Sequence, residues 1–113
     1  MPQNSSKDKQ RLRQRFDVNL KTIVSPETQK TQEHQCRITN LSATGACLHF
    51  KTPATFPVGM QVSLKIFISS TIIQLTNSGE IMWIKQQPNE CSIGIKFENF
   101  LSETMMTQLL KKN

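Results

Sequence analysis

The 113-residue chain is predicted to fold as an all-β domain with a carboxyl-terminal helix: a small six-stranded antiparallel β-barrel preceded by a basic amino-terminal arm. Three observations carry that expectation. Apolar residues recur at period two in short runs between Val18 and Phe97, Pro, Gly and Asn clusters separate the runs, and the period turns helical only after Ser102. The length suits one compact domain.

The first strand is read from Val18, Leu20, Thr22 and Val24, and the polar stretch Pro26 to Glu33 is a connection. Cys36, Ile38 and Asn40 form one face of a second strand. A break at Ser42-Ala43-Thr44-Gly45 leads to a third strand with Ala46, Leu48 and Phe50 on one face. Pro53, Pro57 and Gly59 punctuate the next connection, and Val62, Leu64 and Ile66 make a fourth strand. Between Thr71 and Lys85, counting in twos from Ile73 reaches Leu75, Asn77, Gly79, Ile81 and Trp83. The parity survives the Asn77-Ser78-Gly79 interruption, so one long strand bulged at Gly79 is expected rather than a hairpin. Ile93, Ile95 and Phe97 belong to the last strand. Ser102 is an N-cap, Leu101 can staple onto Met106, and Met105, Met106, Leu109 and Leu110 form one helical face ahead of Lys111-Lys112. The helix is expected to cover an opening of the barrel.

Fourteen Lys and Arg against eight Asp and Glu give a net charge of +6. The first fifteen residues hold Lys7, Lys9, Arg11, Arg13 and Arg15 against Asp8, and so carry four of those six charges. Such an arm is drawn to phosphate; a solvated tail is the bland reading of the same composition. The longest apolar run, Ile81 to Ile84, has four residues where a membrane span needs about 20, so no membrane insertion is expected. Met1 to Gln10 has no apolar leader pattern, and Cys36, Cys47 and Cys91 are odd in number and widely spaced. A reducing, cytoplasmic setting is expected.

Enzyme chemistry finds no support. His34 and His49 are the only histidines, the cysteines lack metal-ligand or redox spacing, and Gly45, Gly59, Gly79 and Gly94 are too scattered for a phosphate loop. No catalytic residues, metal site or cofactor are expected.

Two short patterns remain. Arg11-Leu12-Arg13-Gln14-Arg15 sets arginines at a spacing of four ahead of the first strand. Asn40-Leu41-Ser42-Ala43-Thr44-Gly45 sets Asn, Ser and Gly at a strand end and turn. Each has a structural explanation: Asn40 and Ser42 close turns through their side chains, and Gly45 supplies positive φ. In this order and strand context, however, they resemble the PilZ domain, the bacterial receptor module for cyclic dimeric GMP (c-di-GMP), which carries Arg-x-x-x-Arg and (Asp or Asn)-x-Ser-x-x-Gly. Gly79-Glu80-Ile81-Met82-Trp83 and Ser92-Ile93-Gly94-Ile95-Lys96-Phe97 are similar to the family's fifth and sixth strands.

The resemblance covers residues 9–112 and implies a split barrel. Residues 1–8 are then a disordered tail, and 9–113 the domain, with 9–16 a ligand-binding arm, 17–98 the barrel and 102–112 the helix. It implies that Arg11, Arg15, Asn40, Ser42 and Gly45 bind the ligand. Arginine suits it: the guanidinium can fork onto a guanine O6 and N7, stack on the base, or pair with phosphate. Asn40 can bond a guanine edge, where the family's alternative Asp would accept from N1–H and N2–H. Arg13 adds charge, and Trp83 is read either as an aromatic platform beside the base or as core, since parity permits both. Gln10 stands where the family's residue bears on whether one nucleotide or a stacked pair binds, and the stoichiometry stays open. The implied mechanism is an arm that folds onto the barrel when both motifs grip one nucleotide, with an unidentified protein partner reading the new surface. A ligand-independent adaptor of pilus or motility machinery, using the barrel surface and the Met105-Met106 helix, is the alternative. A nucleic-acid binder is a poorer match, because the basic stretch of residues 1–15 holds no aromatic residue for stacking.

Overall fold

The computed structural model describes residues 14–68 and 74–111. The expected tail over residues 1–8, the opening of the fifth strand at Thr71 to Ile73, and Lys112 lie outside the described residues. Among the described residues six strands, β1 (Phe16–Pro26), β2 (His34–Leu41), β3 (Gly45–Phe50), β4 (Gln61–Phe67), β5 (Gln74–Gln87) and β6 (Glu90–Phe97), precede one helix, α1 (Glu103–Leu110). Every neighbouring pair is antiparallel, and the ring order β1-β2-β3-β6-β5-β4 closes where β1 meets β4, from Thr22 opposite Ile66 to Pro26 opposite Val62. The predicted six-stranded antiparallel barrel is the observed one. Closure removes the unpaired edges that a small sheet would otherwise leave open.

Period two explains the core. Leu20, Thr22 and Val24 of β1, Cys36 and Ile38 of β2, Ala46, Leu48 and Phe50 of β3, and Val62, Leu64 and Ile66 of β4 point inward. Ile81 of β5 and Ile93, Ile95 and Phe97 of β6 complete the wall. Ala54 and Phe56 of the 51–60 connection join them, Phe56 packing on Phe50 and edge-on to His34, while Leu101 and Leu109 enter from the carboxyl-terminal segment. The hydroxyl of buried Thr22 donates to the Leu20 carbonyl, and the amide of Asn77 donates to the Asn99 carbonyl at 2.9 Å, so burial leaves these polar groups satisfied.

Three irregularities correct the simple alternation. The fifth strand is bulged at Met82, between Ile81 and Trp83, and not at Gly79, which pairs regularly with Val62 and Phe97. Parity therefore holds from Leu75 to Ile81 and then flips, sending Trp83 outward and Ile84 toward the core. A second register shift, at Thr39, moves Asn40 off the face of Cys36 and Ile38 and turns Leu41 inward. A third lies in β1 between Asp17 and Leu20.

Helix α1 starts at the expected cap. The Ser102 hydroxyl accepts from the Met105 amide at 3.2 Å, and Glu103 lies in the first turn. Its contact face is narrower than the sequence suggests: Leu109 is buried and Met106 and Leu110 partly so, but Met105 is exposed. Lys111 has extended backbone and forms the C-cap, outside the last turn. The Leu101 amide donates to Ala43 and the Phe97 amide to Thr44, both at 2.8 Å, which ties this end of the chain to the β2–β3 turn.

Candidate functional site

The three bulges converge on one place. Asp17, Asn40, Cys47, Gly94 and Trp83 are successive cross-strand partners on β1, β2, β3, β6 and β5, and form a single row across the outer wall. Asp17, Asn40 and Trp83 each stand beside a bulge, the device that re-aims a side chain without breaking a sheet. Along and beside this row runs an open groove of about 190 Å³, lined among others by Arg15, Gly45, Cys47, Trp83 and Lys96.

At one end, the Arg15 guanidinium donates from Nη1 to Asn40 Oδ1 at 3.0 Å, joining residues 25 positions apart. The Asn40 amide donates from Nδ2 to Asp17 Oδ1 at 3.4 Å. The amide's orientation follows from its neighbours, because a guanidinium can only donate and a carboxylate can only accept. At the other end, Trp83 is 47% exposed, and a Cβ on Gly94 would collide with the pyrrole ring of its indole. The absence of a side chain at 94 seats the ring against the sheet. Of the two readings that parity allows for Trp83, the bulge selects the outer wall.

Beneath this surface the turn is held by Ser42, which is buried. Its Oγ accepts from the Gly45 amide at 3.2 Å and the Thr44 amide at 3.3 Å, and its own amide donates to the Gly45 carbonyl at 2.9 Å. Gly45 does not supply positive φ; among the described glycines only Gly59 does, at 91°. Gly45 is needed because a Cβ there would strike the Ile95 carbonyl of the neighbouring strand.

The site thus brings Arg15, Gly45 and Trp83 around one groove, with Asn40 tied to it through Arg15 and Ser42 inside the β2–β3 turn. Arg11, Arg13 and Gln10 lie outside the described residues. Sequence reasoning missed Asp17, Cys47 and Lys96. Lys96 had a signal, since it alternates outward with Gly94 along β6; it is exposed and in no ion pair among the described residues. Cys47 is a half-buried free thiol in the row, whereas Cys36 is core, and burial pushes its thiol up to about 12. Among the described residues no group of three or more His, Cys, Asp or Glu is placed to hold a metal ion, and no helix is long and apolar enough to cross a membrane. Arginine and lysine lining the same groove as a half-exposed indole make a surface suited to an anionic ligand with a flat ring.

The family model described as the PilZ domain matches residues 9–112. None of the curated proteins compared with the chain matches it. Two solved structures share the fold: the inhibitor of motility MotI/DgrA from Bacillus subtilis, at 17% identity and a TM-score of 0.64 over 84% of this chain, and the PlzA protein of Borreliella burgdorferi in complex with c-di-GMP, at 16% identity and a TM-score of 0.60 over 95%. The chain spans less than half the length of either, 46% and 43% respectively.

Proposed function

The chain belongs to the PilZ domain family, and from that premise we propose that it is a receptor for c-di-GMP. One observation carries this reading: Arg15 of the first motif, hydrogen-bonded to Asn40 of the second, lines a groove that it shares with an exposed indole. A cyclic dinucleotide has two phosphates and two guanines, and the groove offers cations for the first and a ring face for the second. At about 190 Å³ it is smaller than the roughly 300–1,000 Å³ of sites that enclose a whole ligand. The dinucleotide therefore lies across an open wall, and the arm carrying Arg11 and Arg13 covers its outer side. That arm folds onto the barrel as ligand binds, and a partner protein reads the change. Gly45 and Ser42 serve by letting the β2–β3 turn approach closely and by holding its shape.

Titration calorimetry with c-di-GMP tests the reading, with GMP and GTP as controls. Saturable heat is expected for the cyclic dinucleotide alone, and Arg15→Ala should weaken binding roughly 10–100-fold through loss of charge-assisted bonds. A second reading, the ligand-independent adaptor, draws on the exposure of Phe100 and Met105 in the carboxyl-terminal segment, which the Leu101 amide ties to the β2–β3 turn. It requires no heat from any nucleotide.

A further inference from the structure

The second motif has Asn at position 40, so its own side chain offers a guanine edge only one acceptor oxygen. That oxygen already accepts from Arg15, while the nitrogen of the same amide donates to Asp17. The Watson–Crick edge of guanine presents two adjacent donors, N1–H and the N2 amine, which a carboxylate matches with two parallel bonds and an amide does not. Asp17 is the direct cross-strand partner of Asn40 on the outer wall, which sets their Cβ atoms about 5 Å apart and lets the two side chains meet. It is exposed and makes no ion pair among the described residues.

We propose that Asp17, one strand away from the motif, supplies the carboxylate that reads a guanine of the bound dinucleotide, while Asn40 positions Arg15 against the same ligand. The assignment rests on the c-di-GMP reading above and makes Asp17 the determinant of base specificity. A carboxylate beside a dianion repels it, so removing the charge should raise affinity unless the carboxylate is itself bonded to the base.

The test compares c-di-GMP with its inosine analogue, which lacks the N2 amine, by calorimetry on the full chain. Wild type should prefer the guanine ligand by roughly tenfold or more. Asp17→Asn keeps the size and can still accept from Asn40. It should lose roughly 10–100-fold in c-di-GMP affinity and nearly all the preference over the inosine form. The exchange variant D17N/N40D, which returns a carboxylate to the motif position, should recover both. Retention or gain of c-di-GMP affinity in D17N, with the preference intact, overturns the role of Asp17 and leaves the receptor reading standing. A wild-type chain that takes up neither dinucleotide overturns the receptor reading and this assignment with it.

Discussion

The indole of Trp83 occupies the space in which a side chain on its cross-strand partner Gly94 would have to stand. The bulge at Met82 turns the ring outward, and the bare backbone at 94 gives it a seat, leaving it 47% exposed beside Arg15, Cys47 and Lys96 of the groove. Neither feature alone would present an aromatic face: without the bulge the ring is core, and without the glycine it is pushed off the sheet.

Gly94→Ala should therefore impair binding more than folding, because the three atoms nearest the new methyl all belong to one exposed side chain, the Trp83 indole. Displacing the stacking platform should lower c-di-GMP affinity roughly 5–100-fold, since a stacked base is worth about 1–3 kcal/mol. Calorimetry measures the loss and the thermal midpoint tests the fold. Unchanged affinity with a shifted tryptophan emission would remove Trp83 from the site.

Gly45→Ala should show the opposite pattern. The added methyl collides with the Ile95 carbonyl, part of the β3–β6 ladder, and no rotamer relieves it. A loss of about 1–3 kcal/mol in urea unfolding is expected, as for other forced insertions into packed structure.

Ser42→Ala removes the acceptor used by the Thr44 and Gly45 amides inside a buried turn. Stability should fall by about 1–2 kcal/mol, and those two amides should exchange with solvent faster than in wild type. Proton exchange followed by NMR separates this turn-holding role from ligand contact. If both amides keep their wild-type protection, the turn does not depend on the hydroxyl.

Cys36 makes stability depend on pH on the alkaline side. Burial raises its thiol from 9.0 to about 12, so the folded state keeps a proton that the unfolded chain releases. This contribution is fully present below pH 9.0 and is lost as pH rises toward about 12, by at most about 1.4 kcal/mol per pH unit. Urea midpoints measured on both sides of pH 9.0 should fall for wild type and stay flatter for Cys36→Ala. Equal slopes in the two proteins would show that the thiol is not the cause.

Most of the barrel was legible because period two is a local property. Val62, Leu64 and Ile66, or Ile93, Ile95 and Phe97, name their buried face without reference to any neighbour. The two motifs marked the region of the site for the same reason, since Arg15 and the Asn40 to Gly45 segment are short and contiguous. The turn-like composition of Asn77-Ser78-Gly79 points to a bulge at Gly79, yet the ladder slips at Met82, whose residue type carries no such signal. Helical spacing puts Met105 on one face with Met106, and it cannot tell which part of a wide apolar arc finds a partner on an eight-residue helix.

By itself the order of residues determined the strands, the helix cap and the chemistry available at the two motifs, all of which depend on neighbours in the chain. Only the closed barrel decided that Asp17, Asn40, Cys47, Gly94 and Trp83 share one row, because that row is a sum of cross-strand registers. Each register is offset by a bulge, or left in step, according to how both strands of a pair fit the core. A single inserted residue reverses every later side chain, so the outward aim of Asn40 and Trp83 belongs to the assembled wall and not to either segment.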